Sequence, residues 1–175
     1  SPETMAEIAE YIPSSKVLLL WLSGDRILML KLWKIQSIDL RDPVRHSSSR
    51  FPKFLPTLKH LRKLSISRPY GPLGWASFPA ELAKMDSLVS LSLETSQKDM
   101  EKLFESLPKP LKEIWPNLEI LSVSGANPFN SRWPNASKFP DGLATLGIAS
   151  YDFESITSLG IFPRKLSALS LKCLG

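Results

Sequence analysis

The sequence predicts an α/β solenoid of short parallel strands alternating with helical or irregular return segments, and three observations predict it. The segment FPKFLPTLKHLRKLSI, Phe51 to Ile66, aligns without gaps on FPAELAKMDSLVSLSL, Phe78 to Leu93. Phe51, Pro52, Leu55, Leu58, Leu61, Leu64 and Ile66 match Phe78, Pro79, Leu82, Met85, Leu88, Leu91 and Leu93 at a constant offset of 27. Shorter forms of the unit recur as KIQSIDL from Lys34, WPNLEILSV from Trp115, FPDGLATLGI from Phe139 and FPRKLSALSL from Phe162. Their middle apolar residues, Ile38, Leu64, Leu91, Leu121, Leu146 and Leu169, are separated by 26, 27, 30, 25 and 23 residues. A period of this size fits one strand plus a return that stacks on its neighbours. A crossover α/β fold would need longer helical patterns between strands than these intervals hold.

In chain order, residues 1–32 fall outside the repeat. Pro2 and Glu3 suit a helix start, Met5, Ile8, Ala9 and Ile12 follow at helical spacing, and Pro13 stops the helix. Val17 to Leu22 supplies a second, strongly apolar helix and Ile27 to Leu32 a third, together more apolar surface than thirty residues can hide. Residues 33–175 form the repeat domain, about six irregular units. In each unit the anchors alternate with residues of the opposite face. Lys98 to Leu107 places Met100, Leu103, Phe104 and Leu107 on one face and predicts a helical return. Pro134 and Pro140, among Ser131, Asn135 and Ser137, predict an irregular one. The last strand, around Leu166, Leu169 and Leu171, reaches Gly175 without a polar capping segment, so its edge is expected to stay open and the repeat domain to be truncated. A chain that begins at Ser1 is likewise expected to be a fragment.

Composition narrows the classes. With 175 residues, 43% of them hydrophobic, the chain can bury a substantial core, which excludes a disordered tail. The longest apolar run, Val17 to Leu22, falls far short of the roughly 20 residues of a membrane span, so no membrane role is expected. Cys173 has no partner cysteine, which excludes an internal disulfide framework and favours a cytoplasmic or nuclear setting. Ten basic residues between Lys31 and Arg68 face only Asp39 and Asp42, a local +8, whereas the remainder carries −3. The basic character belongs to one region.

The six units resemble leucine-rich repeats over roughly Leu32 to Leu174. The Asn that usually closes such a strand is absent: Pro43, Pro69, Ser96, Ala126, Tyr151 and Leu174 stand in its place. Backbone groups at those turns therefore need other partners. Upstream, PETMAEIAEYIPSSKVLLLWL resembles the F-box, by which substrate receptors dock on the adaptor subunit of SCF-type cullin-RING ubiquitin ligases. Thr4 stands where an aliphatic residue is usual. The resemblance implies adaptor contacts from Pro2, Met5, Ile8, Tyr11 and Ile12, and from Pro13, Val17 and Leu20. It implies a substrate-recognition subunit whose partners are that adaptor and a protein substrate. Read from the residues alone, the same segment is equally a helical cap on the first repeat, and the protein a repeat scaffold or ligand-binding protein unrelated to ubiquitin.

No enzyme is expected. His46 and His60 have no nucleophile or orienting carboxylate at a meaningful spacing, and no phosphate-binding Gly-rich loop or metal-ligand motif is present, so neither cofactor nor metal is predicted. The basic stretch is either a solvated face or a dock for an acidic or phosphorylated protein, with Arg41, Arg45, Arg50 and Lys63 as its candidate contacts. Nucleic acid is disfavoured, because Phe51 and Phe54 fit the repeat core rather than a stacking platform. Between the anchors, Asp39, Ser65, Ser92, Ser122, Gly147 and Ser170 form a strip without large anchors. Binding energy is therefore expected from loop tips: Arg68, Tyr70 and Trp75 after the second strand, Phe129, Arg132 and Trp133 after the fourth, and Tyr151 after the fifth.

Overall fold

In the computed structural model, residues 35–40, 55–67, 78–125, 139–150 and 162–173 are described. Six short strands lie in them: β1 (Ser37–Leu40), β2 (Lys63–Ser67), β3 (Ser90–Glu94), β4 (Ile120–Ser124), β5 (Thr145–Ser150) and β6 (Ala168–Cys173). They form one sheet in sequence order, every neighbour parallel. The helices among the described residues are short: α1 (Phe78–Leu82), α2 (Gln97–Glu105) and α3 (Leu111–Ile114), with a 3₁₀ turn at Leu55–Thr57. The architecture is α/β, as predicted. The proposed helical module of residues 1–32 lies outside the described residues, as do Ser131, Pro134, Asn135 and Ser137 of the predicted irregular return.

Register follows the sequence intervals. Ile38 pairs with Leu64, Leu64 with Leu91, Leu91 with Leu121, Leu121 with Leu146 and Leu146 with Leu169. Intervals of 23 to 30 residues thus leave the strands aligned, and the length differences are taken up in the returns. The longest, from Leu91 to Leu121, accommodates both α2 and α3.

The core occupies one side of the sheet because strand side chains alternate. Leu64, Leu91, Leu121 and Leu146 are almost completely buried, and so are Ile66, Leu93, Val123 and Ile148 two positions along. Their strand neighbours are half-buried or exposed. Below the sheet, apolar residues recur every three positions and fold as tight turns. Leu58 N–H donates to the Leu55 carbonyl and Leu61 N–H to that of Leu58, both at 3.0 Å. The same step recurs from Met85 to Leu82, Leu118 to Trp115, Leu143 to Pro140 and Leu166 to Pro163. Trp115 occupies the position held by Leu58 and Met85 in earlier units, is fully buried, and donates its indole N–H to the Leu82 carbonyl of the preceding unit at 3.2 Å.

Helix α2 forms as its pattern predicts. Met100, Leu103, Phe104 and Leu107 are buried, while Lys98, Lys102 and Glu105 are exposed. Its N-cap is Ser96, whose hydroxyl oxygen accepts from Asp99 N–H at 3.3 Å and whose hydroxyl donates to the Asp99 carboxylate at 2.7 Å. One position without the usual Asn is thus used to start a helix.

Main-chain atoms keep the units in step. On the rim where the chain enters the strands, five carbonyls each accept two N–H groups of the following unit. The Gln36 oxygen takes Arg62 and Lys63, that of Arg62 takes Val89 and Ser90, and that of Val89 takes Glu119 and Ile120. The Glu119 oxygen takes Ala144 and Thr145, and the Ala144 oxygen takes Ser167 and Ala168, all at 2.8–3.0 Å. Ser87 and Ser167 hydroxyls reinforce this rim by donating to the Leu61 and Ala144 carbonyls. On the opposite rim Thr95 N–H donates to Ser124 O and Gly125 N–H to Ala149 O.

Strand β6 differs from the others. Leu169 and Leu171 sit in register with buried Leu146 and Ile148, yet they are 45% and 43% exposed. Being last in the sheet, β6 has no seventh strand among the described residues to cover its anchors or its outer hydrogen-bonding edge.

Candidate partner-binding face

No element among the described residues covers the side of the sheet opposite the core, the open face, and its composition follows from the strand alternation. Its middle column is Asp39, Ser65, Ser92, Ser122, Gly147 and Ser170, paired in that order across the sheet. This is the strip that the sequence predicts. The column beside it, at the strand starts, is Ser37, Lys63, Ser90, Ile120, Thr145 and Ala168. On the other side run Ser67, Glu94, Ser124, Ala149 and Lys172, where the Ser67 hydroxyl donates to the Glu94 carboxylate at 3.0 Å.

Exposed Asp39, Glu94 and Lys172 interrupt the run of small residues, and in the strand-start column two further side chains, Lys63 and Ile120, do so. Ile120 is 41% exposed at the head of β4. Lys63, at the head of β2, is exposed and forms no ion pair with another described residue. The predicted strip itself keeps its composition, and Ile120 belongs to the column beside it, because period-two alternation that buries Leu121 turns Ile120 to the same side as Ser122. Exposed Arg62 and Glu119 precede Lys63 and Ile120 on the same rim. Along its strand-start rim the face thus runs from basic at β2 to acidic and aliphatic at β4, while Asp39 on β1 and Glu94 on β3 add acidic groups elsewhere on it.

Of the predicted partner contacts, Lys63 is placed on this face. Arg41, Arg45, Arg50, Arg68, Tyr70 and Trp75, and Phe129, Arg132, Trp133 and Tyr151, lie outside the described residues. So do Pro2, Met5, Ile8, Tyr11, Ile12, Pro13, Val17 and Leu20 of the F-box-like segment, and Phe51, Phe54 and His46. His60 is an exposed turn residue and Cys173 an exposed thiol on β6. Among the described residues no group of three or more acidic, histidine or cysteine side chains is placed to hold a metal ion. No helix among them is long and apolar enough to cross a membrane.

Sequence reasoning places Ile120 on this face without singling it out, and gives no functional weight to Trp115 or Gly125. The signal for Ile120 was its place between Glu119 and Leu121, one residue out of phase with the anchors. For Trp115 it was an aromatic residue in the anchor column, whose N–H requires a buried acceptor. Gly125 follows directly on a strand. No protein-family model matches the chain, and no curated protein sequence matches it.

Proposed function

We propose that the chain is a protein-binding module rather than an enzyme: a leucine-rich-repeat solenoid that presents the open face of its sheet to a protein partner. The observation that carries this reading is the in-register stack of six parallel strands, with aliphatic anchors on one side and mostly small side chains, among a few exposed longer ones, on the other. Such a face admits another polypeptide closely, since few long side chains must be displaced.

The likeness of residues 2–22 to the F-box supports a narrower role, substrate recognition for an SCF-type ubiquitin ligase in the cytoplasm or nucleus. In that arrangement the N-terminal segment holds the adaptor and the repeats hold the substrate. Affinity purification of the tagged protein from cells tests it: the cullin adaptor is expected to co-purify, and Ile8→Asp or Leu20→Asp to remove it while circular dichroism of the repeats stays unchanged. Absence of the adaptor from the intact protein's complexes would overturn the ligase role and leave the repeat-scaffold reading in its place.

A further inference from the structure

In the strand-start row of the face, Ser37, Lys63, Ser90, Ile120, Thr145 and Ala168, the two long side chains are Lys63 and Ile120. Lys63 pairs with Ser90 and Ser90 with Ile120, so the cation and the aliphatic group sit in one row across β2, β3 and β4. Two strand spacings separate them by about 9.5 Å. Between them the surface is low, with half-buried Ser90, Ser92 and Ser122. Charge gives the row a direction: Arg62 stands beside Lys63, and Glu119 beside Ile120. Of the two ends of this row, the β2 end, with two cations against Asp39 on the neighbouring strand, is the more favourable for an anion, and the β4 end, with Glu119, the less favourable.

A ligand matching this row needs an anionic and an apolar side chain on one side of its backbone, about 9.5 Å apart. A β-strand does not provide that, because its same-side residues repeat at about 6.8 Å and then about 13.6 Å. A polyproline II segment does, since three residues per turn at about 3.1 Å each bring positions i and i+3 to the same side about 9.3 Å apart. Its backbone needs no partner strand, which suits the middle of a sheet whose main-chain groups are already paired.

We propose that the open face recognises an extended, polyproline II segment of a partner protein, with an acidic residue over Lys63 and an aliphatic or aromatic residue three positions away over Ile120. This rests on the reading of the open face as the partner-binding surface, and it defines the class of substrate. Phosphoserine in place of the acidic residue would use the same cation.

Fluorescence anisotropy with labelled Pro-rich dodecapeptides, titrated with the 175-residue chain, tests the proposal. One peptide carries Glu and Leu at spacing i, i+3 in both orders; controls use spacings of one and five, or Gln for Glu. The i, i+3 peptide is expected to bind best, by roughly tenfold over each control. Lys63→Glu should cost roughly tenfold and be rescued by a peptide with Lys in place of Glu, while Ile120→Ser should cost several-fold. Both positions are exposed, and thermal melts of the variants check that the fold is kept. Absence of binding by every peptide, or binding indifferent to spacing, overturns the inference, as does indifference to both substitutions. The double variant Ser92→Arg, Ser122→Arg separates this failure from that of the underlying reading. If it alone abolishes binding, the face is a partner surface of different chemistry; if it too is without effect on a bound peptide, both readings fall.

Discussion

Gly125 shows how a single residue can fix the spacing of two units. Its φ of 117° lies where side chains are rarely tolerated, and a Cβ at this position would run into the Thr95 carbonyl oxygen of the preceding unit. The close approach lets Gly125 N–H reach Ala149 O at 2.8 Å on the other side. Gly125→Ala is therefore expected to destabilise the fold by about 1–3 kcal/mol, the scale of a backbone forced from a sparsely populated conformation. Urea unfolding measures it, and an unchanged midpoint would show that the rim relaxes freely. Residues such as this were illegible in the sequence because their role depends on an atom from another unit. Trp115 is similar: its place in the anchor column was readable, but its acceptor, the Leu82 carbonyl, lies 33 residues away.

Strands and returns differ as elements in how openly the sequence states them. A strand is legible here because its anchors repeat with a period of two and recur in every unit, so that even the register could be read from the intervals. Returns follow no common pattern. Helix α2 was legible from Met100, Leu103, Phe104 and Leu107, whereas its start was not, because Ser96 was weighed as a missing Asn and not as the first residue of an S-x-x-D cap. Ser96→Ala should cost about 1 kcal/mol. The loss should be local, appearing as faster amide exchange at Asp99 and Met100 with little change at Leu91 or Leu121. Uniform acceleration across the sheet would mean that the cap supports more than its own helix.

For the molecule as a whole, the two sides of the sheet carry different hazards and uses. On the core side, Leu169 and Leu171 of β6 are half exposed and join an edge that no described strand covers, a combination that promotes pairing with another chain. The 175-residue chain is expected to self-associate with rising concentration in sedimentation velocity, and Leu171→Lys to reduce this by placing a charge on that surface. A monomer across the whole range would show that the edge does not recruit a partner. On the open side, the sequence revealed the columns and marked Lys63 but did not single out Ile120, since alternation assigns a side chain to a face without saying how far its neighbours leave it uncovered. The ladder on the rim links these observations. Its ten bonds join carbonyl oxygens to amide hydrogens and involve no side chain. The turns beside it can accordingly be basic at Lys59, acidic at Asp86 and Asp141, and basic again at Arg164 and Lys165. Much of what aligns one unit with the next on this rim is thus written in main-chain atoms that substitution of an exposed side chain leaves in place, while what a partner meets is written in side chains. Such a molecule can change its specificity one exposed open-face residue at a time, with the rim ladder left in place.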